Sequence, residues 1–583
     1  MELNDPVIAL ARAAIGRGDL LAAYDLVRTD GEPALTAERA YLAVLAMARM
    51  GAVQEATRLY DAAGLARADD VDSLALGARL IKDRALSGGA NKAGLAQAAS
   101  AYADIFDRTK DPFPAINAAT LSFLSGDSVS SASFARATLA APAVDRPEDY
   151  YSGATRAEAL VLLGRTAEAE QAMTTALTLP GANYGARSTT LRQFQLLAKH
   201  MGSDEQLRPL IELLRPPAVA FYTGHIFKAD PAREAELASR IDAELEEQQI
   251  GFGYGALAAG ADILIAERLL ARGAEVNILL PFAERDFIAQ SVLPAGADWV
   301  PRYDKVRAAA ASVSFATIAE FVHDAAQFGY GATVAMGLAR LRARHLGSRV
   351  TQLALWDGVP GEIAGTGHDV ASWKGTGGTT SVVAAGVLNR SFPRAPSIVD
   401  PTPRDLKALL FADFPGFTRI PEMKLHVFWD RVMTAAGRLL QRHGTHIEFA
   451  NSWGDAVFAV IDTVEVAAEV ALEFQEVLAA VDPAELGLET LVQMRVSVHY
   501  GPVFSGHDAV AGRTNYYGCE VSRAARVEPL TPPGSVYASE PFAAILVNTA
   551  PDLFTTTYVG KLELPKGYGQ FPLFSLRRSP PAS

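Results

Sequence analysis

The chain is short of three things, and each shortage narrows what it can be. A single cysteine, Cys519, in 583 residues excludes an intrachain disulfide and fits a reducing compartment. No run of Lys and Arg is dense enough to hold nucleic acid or an anionic membrane, and a formal charge of -13 works against both, because both reward clustered cations. No apolar run reaches about 18 residues without a charge or a helix breaker, and residues 1–30 lack the basic-then-apolar pattern of an export signal, so a cytoplasmic location away from membranes is expected. What is there is ordinary for globular protein, with 49% hydrophobic and 20% charged residues. At roughly 150 residues per domain the length suggests about four domains.

Residues 1–205 read as helix upon helix, rich in alanine and poor in β-branched runs. Ala43–Gly51 followed by Glu55, Ala56 and Tyr60 has the same shape as Ala159–Arg165 followed by Glu168, Ala169 and Met173: a glycine closes one helix and a small residue falls about a turn into the next. These segments resemble tetratricopeptide-like helical hairpins, in which small residues let neighbouring helices pack closely. Asp111–Thr120, with Tyr150–Thr155 beyond it, also resembles the TRAF-binding helical-repeat region of some kinase kinase kinases and bacterial signalling proteins. The resemblance implies a groove for a protein partner; a rigid spacer or dimerisation element is the alternative.

Over 214–385 the pattern changes to α/β. Ala218–Tyr222, Ala274–Phe282 and Gln352–Gly358 read as buried strands separated by helices near Ala232–Glu246 and Ala261–Leu270, which implies a Rossmann-like parallel sheet with a crevice at its strand C-termini. The Gly-Ala-Asp-Ile-Leu run at 260–264 and the Leu-Leu-Pro-Phe strand end at 279–282 resemble nucleotide-sensing folds related to lysine decarboxylase-like nucleotide hydrolases, which implies a nucleotide ligand. Gly224, Gly253, Gly255 and Gly260 can either let the backbone approach a phosphate or serve tight turns. Asp262 and Glu267, five apart, do not stack on one helical face and are not read as a catalytic pair. Gly365–Thr380, dense in Gly and Thr around Trp373, reads as a ligand-facing loop or the exit of this domain, and the proline-rich 386–405 reads as a linker.

Further on, Asp413 and Asp455 each end an apolar, strand-like run at a glycine-containing turn, and the second sits in a hairpin-like pattern, Ile447–Ala450 before the turn and Ala456–Ile461 after it. Adjacent antiparallel strands would hold both acids around one site, and two hard carboxylates suit Mg²⁺ or Mn²⁺ carrying nucleotide phosphates. Aspartate also favours turns for its own sake, which is the plainer reading of either residue alone.

Arg495–Val503, Tyr517–Arg526 and Leu564–Gly567 follow in order. With the two aspartate segments they resemble the class III nucleotidyl cyclases over 406–579. The resemblance implies an α+β, ferredoxin-like palm and a homodimer that converts a nucleoside triphosphate to a 3′,5′-cyclic nucleotide and pyrophosphate. It implies that Asp413 and Asp455 hold two Mg²⁺ or Mn²⁺ ions per site, that the backbone of Phe414, Pro415, Gly416 and Phe417 cradles phosphate oxygens, and that Arg526 and Lys566 form a cationic clamp reaching in from the other protomer. Three positions depart from the commonest pattern. Asn451 stands where a base-selecting lysine is usual, Asn515 where its aspartate or threonine partner is usual, and Ser522 where an asparagine steadies the ribose. An asparagine amide can pair with adenine or, turned over, with guanine, so the base is not fixed, although ATP is the favoured substrate. A serine at 522 keeps one donor and one acceptor on a shorter arm. A degenerate cyclase-homology scaffold is the rival reading, and a hydrolase in the middle region is a third that lacks an acid/base cluster in sequence. Arg526 alone would read as a helix-surface charge, since Val521, Ala524, Ala525 and Val527 can form a core face; His499 reads as structural or solvent-facing rather than as a base, and Glu448 and His446 carry no role.

Overall fold

The computed structural model describes residues 5–28, 35–87, 91–202, 204–360, 364–392, 404–488 and 492–579. The chain forms two compact units, one built on residues up to Pro216 with Arg344–Ser348, the other on Pro217–Ala343 with Arg349–Ser579. In the first, helices run from Pro6–Gly16 to Asp204–Leu214, and many start on a side chain that accepts a free backbone amide: Asp5, Asp19, Asp111, Asp127, Asp149 and Asn183. Small residues set the spacing. A Cβ on Gly153 would lie 2.6 Å from that of Ala176, so helix Tyr150–Leu162 meets helix Thr166–Ala176 nearly backbone to backbone.

The second unit holds two sheets. The first is all parallel, with strands β1 (Ala218–Gly224), β2 (Ile250–Gly255), β3 (Glu275–Leu280), β4 (Ser312–Phe315), β5 (Val350–Trp356) and β6 (Thr380–Ala384) in the order β4-β3-β2-β1-β5-β6. Its main helices are α1 (Pro231–Glu247), α2 (Ala261–Ala271), α3 (Ala326–Leu346) and α4 (Thr366–Gly375). The chain winds outward from β1 to β4 and returns to the other side of β1 at β5, which opens a crevice beyond the carboxyl ends of those strands.

Two readings of this region change. Gly253 and Gly255 lie inside strand β2 rather than in a loop, where a Cβ would come within 2.5 Å of Leu269 or 2.6 Å of the Tyr222 ring; they make room for packing. Gly365–Thr380 is largely helix α4, whose Trp373 is fully buried, tilted against Phe221 and covered by the Arg340 guanidinium 4.3 Å from the ring centre. Most of the expected linker, residues 393–403, lies outside the described residues.

The second sheet contains β7 (Asp405–Asp413), β8 (Ile447–Trp453), β9 (Ala456–Ile461), β10 (Arg495–Asp508), β11 (Arg513–Tyr517), β12 (Val536–Ser539), β13 (Phe554–Glu563) and β14 (Gln570–Arg578). Its order is β13-β14-β12-β10-β7-β9-β8, with β11 on β10, and every pairing is antiparallel except β10 with β12. Helices α5 (Val464–Ala479), α6 (Cys519–Val527) and α7 (Glu540–Thr549) belong to it.

The two sheets are bonded directly through α3. The Tyr330 hydroxyl donates to the Tyr500 carbonyl at 2.9 Å, and Asn548 Nδ2 donates to the Thr333 carbonyl at 3.0 Å. At Gly337 a Cβ would stand 1.9 Å from the Ala544 carbonyl oxygen, so α3 and α7 touch where only glycine fits.

Candidate active site

Strand register brings the two aspartates together. Asp413 ends β7, and Ala412 beside it pairs with Val457 on β9. The β8–β9 connection is just Gly454, in the left-handed region at φ 63°, and Asp455, so the tight turn delivers Asp455 to the end of β7. Burial pushes the Asp455 carboxyl up, the neighbouring Asp413 charge pushes the same way, and Arg495 pulls against both.

Arg495 faces Asp413 across the β7–β10 pair and donates to its Oδ2. The same guanidinium lies 2.7 Å from Glu528 Oε1 as an ion pair, although the Nε–H is not aimed at that oxygen. Glu528 is pushed up to about 7, chiefly by burial, with Arg495 opposing and both aspartates adding to the rise. The site is therefore a cluster of three acids around one arginine. Glu528 is paired with Arg495, which leaves Asp413 and Asp455 as the carboxylates for an ion; among the described residues no three His, Cys, Asp or Glu side chains come close enough to form a metal cage. They fit one: Asp455 has no ion-pair partner, and Asp413 commits a single oxygen to Arg495.

The loop after β7 offers less than expected. Pro415 has no amide hydrogen, and the Phe417 amide donates to the Phe414 carbonyl at 3.1 Å, so half of the anticipated phosphate cradle is absent or spent inside the turn. Phe414 and Phe417 both pack on Phe428, which fixes the loop.

Asn451 and Asn515 are not bonded to each other. Asn451 Oδ1 accepts from Arg513 Nη2 at 2.9 Å, while Asn515 donates to Asp508 at 3.0 Å and accepts from the Tyr516 amide. Ser522 and Arg526 ride on α6. Arg526 lies 5.7 Å from the centre of the Tyr568 ring with its buried Nε unpartnered, and exposed Lys566, at φ 66°, occupies the turn between β13 and β14 two residues from that tyrosine. Arg526 and the Lys566 turn are thus brought together. Among the described residues, no hydrogen bond or ion pair joins Ser522, Arg526 or Lys566 to either aspartate.

The foot of α6 holds a group that sequence reasoning missed. Glu520, fully buried, accepts from His499 Nε2 at 2.8 Å, from Arg523 Nη1 at 2.9 Å and from the Thr317 hydroxyl of the parallel-sheet region at 2.6 Å. Burial alone would raise its carboxyl, yet the His499 hydrogen bond and the Arg523 charge hold it at about 2. His499 is structural as read, and it is wholly buried rather than solvent-facing, with Ser539 Oγ 2.7 Å from Nδ1. The i, i+3 spacing of Glu520 and Arg523 was the signal, but it looks like any exposed helical ion pair.

Residues 399–577 match the family described as Adenylate and Guanylate cyclase catalytic domain, and residues 19–122 match Tetratricopeptide Repeats-Sensor. No curated protein matches the chain. Solved structures similar to part of it include the guanylate cyclase domain of RhGC from Catenaria anguillulae in complex with GTP, at 18% identity over 30% of this chain and 97% of that one, TM-score 0.27. An adenylate cyclase from Trypanosoma brucei in its monomeric state is 18% identical over 30% and 92%, TM-score 0.27. The adenylyl cyclase CyaB from P. aeruginosa is 15% identical over 30% and 94%, TM-score 0.26. No helix among the described residues is long and apolar enough to cross a membrane.

Proposed function

We propose that the antiparallel sheet forms a nucleotidyl cyclase site, shared between two copies of the chain, that converts ATP to 3′,5′-cyclic AMP and pyrophosphate under control of the preceding regions. The observation that carries this reading is the meeting of Asp413 and Asp455 at adjacent strand ends, within the segment that matches the cyclase family. Two Mg²⁺ or Mn²⁺ ions, when bound there, supply Lewis acidity that lowers the pKa of the ribose 3′-hydroxyl and neutralises the departing phosphates. The chain's own groups do the positioning. Arg495 fixes Asp413 by one oxygen and leaves the other free for an ion. Arg526, with an unpartnered Nε, and Lys566 on its exposed turn are the cations for the triphosphate, and among the described residues neither bonds to the aspartates of its own chain, which supports a site completed by a second copy. Ser522 would meet the ribose through its hydroxyl, and Asn451 and Asn515 would read the base.

The second reading, a cyclase-homology scaffold without turnover, has one structural point in its favour: Asn451 is already occupied by Arg513, so base reading there needs that bond to give way. Incubating purified protein with ATP, GTP, CTP or UTP plus Mn²⁺ and weighing the products separates the two. A cyclic nucleotide, predominantly cyclic AMP, is expected; no cyclic product from any triphosphate supports the scaffold.

A further inference from the structure

The parallel sheet carries a cavity of about 440 Å³ at the carboxyl ends of β1, β3 and β5, where the strand order reverses and where ligands of open α/β sheets bind. Phe287, Phe328 and Phe392 make much of its wall apolar, and Asp262 and Asp369, 6% and 7% exposed, line it as well. Asp262 Oδ2 accepts from the Ala258 amide at 3.2 Å while Oδ1 has no partner, and the fully buried Tyr222 hydroxyl beside the cavity has none either. Asp369 accepts from the Thr223 hydroxyl at 2.7 Å.

Charge decides what such a cavity can take. Among the described residues neither acid is in an ion pair; Arg390, the one cation lining the cavity there, lies 3.1 Å from Asp357, and the His225 ring, its pKa lowered chiefly by burial, lies 2.9 Å from the same carboxylate. The starts of α2 and α4, which would otherwise attract a phosphate, carry Asp262 and Asp369 in their own first turns, so an anion would meet two acids where it needs a cation. Among the described residues, what the two acids lack is a positively charged partner of their own.

We propose that this cavity is an effector site for a compact organic cation, an ammonium or amidinium group on an apolar ring or chain, held between Asp262 and Asp369 and sensed through helix α3. Helix α3 is the shared wall. Phe328, Gly331 and Ala335 line the cavity, while Tyr330 bears on β10 through Tyr500, and Thr333 and Gly337 bear on α7 through Asn548 and Ala544. A ligand that displaces α3 must move at least one of those contacts, because Gly337 leaves no slack.

The titratable and charged groups lining the cavity are Tyr222, His225, Asp262, Asp369 and Arg390, with Asp357 behind His225. Burial sets both Asp262 and Asp369 at about 7, so a monocation that pairs with one of them displaces one proton and should bind about tenfold more weakly at pH 6 than at pH 8. The test is calorimetry on the full chain with benzamidinium chloride and phenethylammonium chloride, with AMP as the anionic comparison. One equivalent of cation, that pH dependence, and at least a tenfold loss of affinity in Asp262→Asn and in Asp369→Asn are expected. AMP binding that depends on these acids, binding of neither cation, or cation binding indifferent to the substitutions overturns the assignment; should one variant not fold, the other and the pH series decide. Hydrogen exchange then tests α3: amides of α7, Glu540–Thr549, should change protection when the cation binds, and unchanged exchange overturns the effector role. An enzyme without cyclase activity would count against the function proposed above and leave this site standing.

Discussion

Beside the parallel sheet Asp262 and Asp369 occupy the first turns of helices, almost out of contact with water and, among the described residues, in no ion pair. In the antiparallel sheet Asp413 and Asp455 sit at strand ends, partly open, around Arg495. The residue type is the same and the consequences are opposite. Burial raises the first pair to about 7, so each releases its proton near physiological pH and suits a ligand that brings its own charge, whereas the second pair keeps coordination positions that a hydrated divalent ion can enter. The comparison teaches that location on the fold, more than the carboxylate itself, sets what an acid is for.

The largest effect should come from the open pair. Asp413→Ala or Asp455→Ala should lower turnover by at least about 10²-fold while thermal unfolding stays close to wild type, since each removes charge that acts in the transition state rather than packing. Near-normal turnover in either variant would dissolve the contrast between the two pairs.

Next in size is the buried node that ties the sheets. Glu520→Gln leaves Arg523 buried without its countercharge and should cost roughly 3–5 kcal/mol in denaturant unfolding. Thr317→Val removes one hydrogen bond to the same carboxylate and should cost about 1.5–3 kcal/mol. Equal, small effects for both would mean that Glu520 is solvated and does not join the regions.

The acids of the parallel sheet predict a smaller, pH-dependent difference. Their folded pKa values lie above the unfolded ones, so the stability gained by holding the proton is complete below about pH 4 and is lost as pH rises through 7. Asp262→Asn should therefore gain on wild type between pH 5 and pH 8, while Glu528, also near 7, is common to both proteins and cancels. A difference that stays constant across that range would place Asp262 in water. The smallest effect is that of Ser522→Asn, which on the proposed reading should hold or raise kcat/KM for ATP, because the longer amide would reach the ribose directly.

Much of the antiparallel site was legible because it is built from local patterns: strand, tight turn, acid. Asp413 and Asp455 follow from two short apolar runs, each ending at a glycine-containing turn. The parallel strands were legible for the same reason, as short apolar runs between helices. Glu520, Arg523, Thr317, Asp262 and Glu528 were not, because what makes them matter is a neighbour more than 30 residues away or a burial that no local pattern records. For Gly253 and Gly255 the sequence left a phosphate loop and a structural role open, and the structure favours the second: they answer the bulk of Leu269 and Tyr222, a demand visible only in the packing. The Phe414–Phe417 loop was placed correctly in sequence, yet the use of its amides depends on a turn whose hydrogen bond sequence does not show.

The composite site is tested most directly by mixing. Asp413→Ala and Arg526→Ala, each inactive alone, should regain cyclic-nucleotide formation when combined, because a heterodimer then carries one site with both aspartates from one chain and the arginine from the other. Activity that stays absent after heterodimers have been demonstrated, with wild type active under the same conditions, contradicts the account.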